Sequence, residues 1–146
     1  VKVKIINKAK HNFGNPTYAD PGSSGMDVRA SLDDNIWIEP NDVAIIPTGL
    51  FMAIPVGYEI QVRPRSGLAA KLGVTVLNTP GTLDASYRGE VCVALHNHSD
   101  MPKEVSPGER IAQMVVMPYV NVSLELAEDL SDTDRGEGGF GSTGKN

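Results

Sequence analysis

Apolar and polar positions alternate with a period of two at several places along the chain. Tyr58, Ile60 and Val62 interleave with Glu59, Gln61 and Arg63, and Val120, Val122, Leu124 and Leu126 interleave with Asn121, Ser123 and Glu125. Successive side chains of a strand point to opposite faces, so both runs predict half-buried strands. Lys2–Ile6, Val43–Pro47, Phe51–Ile54, Val91–Leu95 and Ile111–Met117 are also predicted strands, the last apolar on both faces. Gly or Pro punctuates the gaps, as at Gly49, Pro55, Gly57, Pro64, Gly73, Pro80, Gly81, Gly89, Pro107 and Gly108. No segment carries a helical apolar stripe of about 11 residues or more. Only Ser66–Leu72 predicts a short helix, with Ser66 as a candidate N-cap. Many short strands with closely spaced turns argue for a sandwich, a jelly roll or a small barrel.

A chain of 146 residues has the size of one domain with one core. With 40% hydrophobic and 21% charged residues it is globular rather than disordered. No stretch reaches the ~20 apolar residues that cross a bilayer as a helix, so no membrane partner is expected. Cys92 is the only cysteine and forms no internal disulfide, which fits a reducing compartment. The expected location is cytoplasmic for a bacterial protein, with nucleus or mitochondrion left open for a eukaryotic one. The net charge of −5 disfavours long polyanions, and no basic stripe interleaves with aromatics, so no polynucleotide partner is expected. A small phosphorylated ligand stays compatible with a few focused arginines.

The last segment changes character. Glu125, Glu128, Asp129, Asp132, Asp134 and Glu137 make it acidic, and Arg135 through Gly144 make it glycine-rich, with Phe140 its only large apolar side chain. Ordering backbone costs about 1–2 kcal/mol per residue, and burying one Phe returns only about 2–3 kcal/mol. Alone, this arm is expected to be mobile and to order on a ligand. Its glycines let backbone N–H groups converge on an anion, and Ser142, Thr143 and Arg135 add donors. Gly139 and Gly144-Lys145 are spaced as in a Walker A loop, but Asn146 replaces the Ser or Thr and no helix follows, so that reading fails. A solubilising terminus fits the composition equally well.

Four other segments carry candidate chemistry. Arg63-Pro64-Arg65-Ser66-Gly67-Leu68-Ala69 leaves a strand and opens the short helix, a place for an anion or simply a cap beside a surface arginine. Asn78 through Glu90 predicts a β-hairpin whose Asp84 is either a general base or a turn residue bonded to its own backbone. Gly108-Glu109-Arg110-Ile111-Ala112-Gln113-Met114 places Arg110 and Gln113 in an apolar strand, where each needs a partner. Gly22 through Val28 is a turn entering a strand at Asp27. His96 and His98 lack an evident third ligand, and no Gly-x-Ser-x-Gly elbow or zinc pattern occurs.

Taken in order, these segments resemble the five motifs of the homotrimeric dUTPase family along nearly the whole chain. The counterparts are Gly25–Ala30, Pro64–Ala69, Asn78–Glu90, Gly108–Met114 and Arg135–Gly144. The resemblance implies an all-β, distorted jelly-roll-like β-barrel subunit with one short helix and a flexible C-terminal arm. It implies a homotrimer whose active sites are shared between subunits. Residues 1–126 would form the core, and residues 127–146 an acidic spacer and an arm that closes over a neighbour's site. The 12 residues from Arg135 to Asn146 could span up to ~40 Å when extended, enough to reach another subunit.

The implied reaction is hydrolysis of dUTP to dUMP and pyrophosphate by water attack on the α-phosphorus, with Mg²⁺ as cofactor. Such an activity keeps uracil out of DNA and supplies dUMP for thymidylate synthesis. By resemblance Asp84 activates the water, while Arg65, Ser66, Gly67 and Gln113 contact phosphates. Asn78, Gly81, Thr82, Leu83 and Cys92 would read uracil, and Tyr87 would pack on deoxyribose. Arg135, Gly141, Ser142 and Thr143 would clamp the outer phosphates under a stacking Phe140. Mg²⁺ would be held mainly by the triphosphate, with Asp27 touching it through water. Ser86 stands where the family often has Asp or Gly. A dCTP deaminase shares the fold but would need a catalytic Glu and an amine pocket in place of Tyr87-Arg88-Gly89. A catalytically silent nucleotide sensor would not need both Asp84 and a complete arm.

Overall fold

The computed structural model describes residues 1–144. Ten strands account for nearly all its regular structure: β1 (Lys4–Asn7), β2 (Met26–Arg29), β3 (Ile36–Ile38), β4 (Val43–Ala53), β5 (Tyr58–Arg63), β6 (Val74–Val76), β7 (Gly81–Leu83), β8 (Glu90–Asn97), β9 (Lys103–Val105) and β10 (Arg110–Pro118). They form two four-stranded antiparallel sheets, β1-β4-β8-β6 and β2-β10-β5-β7, with the small β3-β9 pair beside them. The jelly-roll-like, nearly all-β expectation holds.

Alternation explains the layering. On β8, Val91, Val93, Leu95 and Asn97 point inward, while Cys92, Ala94 and His96 lie on the outer face. On β5, Ile60 and Val62 face the same core, which also takes Val28, Ile46, Ile111 and Met114. The buried polar residues are satisfied. Thr48 Oγ1 donates to the Val91 carbonyl at 2.6 Å, and Asn97 Nδ2 donates to the Ile38 and Met101 carbonyls, each at 2.8 Å. Each bond avoids the about 1–3 kcal/mol of leaving a buried polar group unpaired.

Several expectations are corrected. Val43–Pro47 and Phe51–Ile54 are one strand, β4, whose register against β8 shifts between Pro47 and Phe51. Gly49 marks that irregularity with φ 72°, and a Cβ there would meet the Ala9 backbone at 2.4 Å, so the turn signal is a bulge inside a strand. The short helix is a π-helical turn, Leu68–Leu72, and no side chain caps it, so Ser66 is not an N-cap. The Ala69 N–H instead donates to the Arg65 carbonyl. The predicted hairpin is not a paired hairpin: β7 pairs with β5 and β8 with β4 and β6, so this segment crosses between sheets.

Val120–Leu126 is not a strand at all. Leu124 and Leu126 are 92% and 102% exposed, because no strand edge pairs with this segment and an unpaired strand gains no ladder bonds. Among the described residues, the last hydrogen bond from this part of the chain to the strand-bearing body is from Tyr119 N–H to the carbonyl of Gly57, in the turn before β5.

Candidate active site

The second sheet gathers three of the predicted segments at one corner. Strand β10 lies between β2 and β5, and its register sets Gln113 opposite both Asp27 and Arg63. Pro64 ends β5 because it cannot extend the ladder, and the chain turns there into Arg65, Ser66 and Gly67. The Asp27 carboxylate then bridges two cations. Arg65 Nε donates to Oδ1 at 3.0 Å and Arg110 Nη1 to Oδ2 at 3.1 Å. Arg65 also donates to the Arg110 carbonyl at 3.3 Å, and Gln113 Nε2 donates to the Pro64 carbonyl at 3.0 Å.

Gly25 lies close beside them: a Cβ there would stand 2.4 Å from Gln113 Oε1, and the Gln113 side chain would have to shift. At Gly67 a Cβ would meet nothing within 4 Å, so the backbone next to Arg65 is open to a ligand. Two guanidiniums on one carboxylate leave one net positive charge beside exposed Ser66 and Gly67. That arrangement can receive a polyanion.

The second part of the site is the crossing segment. Asn78 Nδ2 lies 3.4 Å from where a Gly81 Cβ would stand, and Val62 lies 3.3 Å away on the other side, so the strand lies close under Asn78. Leu83 is half-buried, Thr82 and Asp84 are exposed, and Asp84 makes no side-chain hydrogen bond or ion pair among the described residues. Its carbonyl closes the turn by accepting from Tyr87 N–H at 3.0 Å. Tyr87 folds across Gly89 and donates its hydroxyl to the Glu90 carbonyl at 2.9 Å. Glu90 in turn accepts from the Gly49 N–H at 2.7 Å, tying the segment's base to the β4 bulge. Cys92 is exposed opposite Pro47 on β4, and partial desolvation of its thiol first and the neighbouring Glu90 second push its pKa up.

The arm is the third segment expected at the site. Its hydrogen bonds stay within residues 133–144: Arg135 Nε donates to the Gly138 carbonyl at 2.8 Å, and turns close at Ser142 and Gly144. Phe140 is fully exposed, and Arg135, Gly141, Ser142 and Thr143 are exposed with it. The described structure therefore brings Asp27, Arg65 and Gln113 together but leaves Arg135, Phe140, Gly141, Ser142 and Thr143 apart from them. Lys145 and Asn146, the end of the expected arm, lie outside the described residues. Residues absent from the predicted set also support the site: Arg110 on Asp27, Gly25 behind Gln113, and Gly89 under Tyr87. Their sequence signal was membership of the same motif segments.

The chain is similar to known proteins along nearly its whole length. A family model described as dUTPase matches residues 1–144. A deoxyuridine 5'-triphosphate nucleotidohydrolase of Syntrophotalea carbinolica is 54% identical over 129 residues, 88% of each chain. One from Finegoldia magna is 47% identical over 144 residues, 99% of each. Among solved structures, a Staphylococcus bacteriophage 80alpha dUTPase with dUPNHPP is similar with a TM-score of 0.88 at 26% identity, covering 98% of both chains.

Proposed function

Because this chain belongs to the dUTPase family and is thereby a dUTP diphosphatase, we propose that it cleaves its substrate between the α- and β-phosphates, aided by Mg²⁺, and does so in a trimer with shared sites. The proposal rests above all on the corner where Asp27, Arg65, Arg110 and Gln113 meet, since three separate motif segments converge there by register and hydrogen bonding.

In this reading Asp84 accepts a proton from a water as its oxygen bonds the α-phosphorus. The bond to the bridging oxygen breaks, giving dUMP and pyrophosphate. A positioned general base contributes about 10²–10⁴-fold, and a carboxylate free of other partners is suited to it. Arg65, Ser66, Gly67 and Gln113 hold phosphate oxygens, so that alignment and charge neutralisation do most of the work. The segment from Asn78 to Cys92 accepts uracil, with Gly81, Thr82 and Leu83 presenting backbone groups. Cytosine reverses the donor and acceptor at the 4-position and would leave buried groups unpaired. Tyr87 packs on the sugar where a ribose hydroxyl would clash.

Phe140 stacks on the base while Arg135, Gly141, Ser142 and Thr143 close on the outer phosphates. Residues 127–146 serve as this arm and residues 1–126 as the body it closes upon.

Among the described residues no cluster of three or more His, Cys, Asp and Glu could cage a metal ion. The donors fit an ion brought by the triphosphate, with Asp27 reaching it only through water, since both Asp27 oxygens accept from arginines. When bound, that ion would neutralise phosphate charge. The role in the cell follows from the chemistry: dUTP is kept from DNA, and dUMP is supplied for thymidylate synthesis. No helix among the described residues is long and apolar enough to cross a membrane.

The test is pyrophosphate release from dUTP, dTTP, dCTP and UTP with Mg²⁺. Release from dUTP far above the other three is expected. Ammonia from dCTP without pyrophosphate from dUTP would overturn the reading in favour of a deaminase.

A further inference from the structure

We propose that Asp27 is a positioning residue for a pair of arginines, and that Arg110, the second of the pair, is a further contact for the substrate's triphosphate. The proposal rests on the dUTP site described above and adds to it. Asp27 stands on β2 and Arg110 begins β10 opposite Arg29, two residues along β2, so the paired strands let the guanidinium reach the carboxylate diagonally. Arg65 reaches the same carboxylate from the exit of β5. Two guanidiniums on adjacent chain segments repel each other, and the shared carboxylate relieves that repulsion.

Geometry separates this role from mere structural pairing. Asp27 takes one donor from each arginine, through a different oxygen each time. Among the described residues, Arg110 donates to nothing else, and a guanidinium carries five donors, so most of its hydrogen-bonding capacity is free. Its side chain is 49% exposed, against 28% for Arg65, so it is the more accessible of the two cations. Arg65 is the inner member, fixed at a second point by the Arg110 carbonyl. The pair carries a surplus positive charge beside Ser66, Gly67 and Gln113, the groups assigned to phosphate. A surface ion pair alone would be worth little to folding, so two arginines spent on one carboxylate make more sense as a preorganised anion receptor. Asp27 acts on the substrate through Arg65 and Arg110, and any contact with the metal's water shell is secondary.

Three variants of the full chain test this: Arg110→Gln, Arg110→Lys and Asp27→Asn. Binding of an α,β-imido dUTP analogue and of dUMP is measured, together with KM, kcat and the Mg²⁺ half-saturation. Melting and sedimentation of each variant establish that it is folded and assembled as the parent is. Arg110→Gln should weaken the analogue at least about tenfold, the worth of one charge-assisted hydrogen bond, with dUMP changed less than about twofold. Arg110→Lys should recover part of that loss. Asp27→Asn should raise KM about three- to tenfold with the Mg²⁺ half-saturation unmoved, and should add little to Arg110→Gln in the double variant.

Analogue binding unchanged in folded Arg110→Gln would overturn the proposal. So would a large shift of Mg²⁺ half-saturation in Asp27→Asn with analogue affinity unchanged at saturating Mg²⁺, which would make Asp27 a metal contact instead. A parent protein that neither binds the analogue nor releases pyrophosphate would overturn the underlying reading of the site.

Discussion

The corner around Asp27 and the arm from Arg135 to Gly144 are both rich in groups that suit phosphate, yet they are built in opposite ways. At the corner, β2, β10 and β5 are held together by sheet pairing, Asp27 accepts from both Arg65 and Arg110, and Gln113 donates to the Pro64 carbonyl. In the arm, Arg135 bonds only to a nearby carbonyl, and Phe140 is wholly exposed. The corner is preorganised, so little ordering entropy is lost there when substrate arrives. In the proposed function the arm would lose that entropy on binding and gain base stacking and phosphate contacts in return. A site divided this way can admit substrate through its open half and exclude water once the arm closes.

Four experiments break or sharpen the contrast. Asp84→Asn removes the proposed base and touches neither half, so substrate should still bind while kcat falls about 10²–10⁴-fold. Pre-steady-state turnover beside analogue binding checks this, and unchanged turnover would exclude Asp84 as the base. Deleting Arg135–Asn146 removes the unbuilt half. Most activity should vanish, by about 10²-fold in kcat/KM, while the melting temperature stays within about 1 °C, because the arm's described hydrogen bonds are all internal.

Gly25→Ala strains the built half gently. The new methyl displaces Gln113, the far end of a flexible side chain, so a KM increase of about two- to fivefold is expected with stability almost unchanged. A melting loss of several degrees with normal KM would mean that Gln113 serves the fold instead. The smallest effect concerns Cys92. Its pKa is raised, chiefly by partial desolvation of the thiol and then by Glu90, so the neutral thiol persists to higher pH than in a free cysteine. Alkylation at pH 8 should be slower than for a small-molecule thiol and should accelerate as pH rises past the ordinary range.

Much of this layout was legible in the sequence, and the failures have physical causes. Tyr58–Arg63 reads as a strand and is one, because its alternation matches a half-buried face. Val120–Leu126 has the same alternation and is not a strand, since periodicity describes a side chain's preference and says nothing of whether an edge is available to pair with. Ile36–Ile38 and Lys103–Val105 are too short to show a period at all, and they exist because they pair with each other. Gly49 reads as a strand break from its residue type, but the bulge keeps the strand continuous.

At the site, motif order singled out Asp27, Arg65 and Gln113, and the second sheet brings them to one corner. The tie between Asp27 and Arg110 spans 83 positions in the chain, and only the pairing of β2 with β10 reveals it. The same limit applies to Gly89: its need for a bare Cα comes from the Tyr87 ring folding back over it.

The claim that one subunit's arm completes a site built by others is tested most directly by mixing two inactive proteins. Subunits carrying Asp84→Asn keep an intact arm, and subunits lacking Arg135–Asn146 keep an intact Asp84. If arm and base come from different copies, randomly reassembled trimers of an equal mixture should regain roughly a quarter of full pyrophosphate release from dUTP, since each site needs one good copy at each of two positions. Mixed trimers, verified as such, that release no more pyrophosphate than the two parents would show that base and arm belong to the same copy and contradict the account.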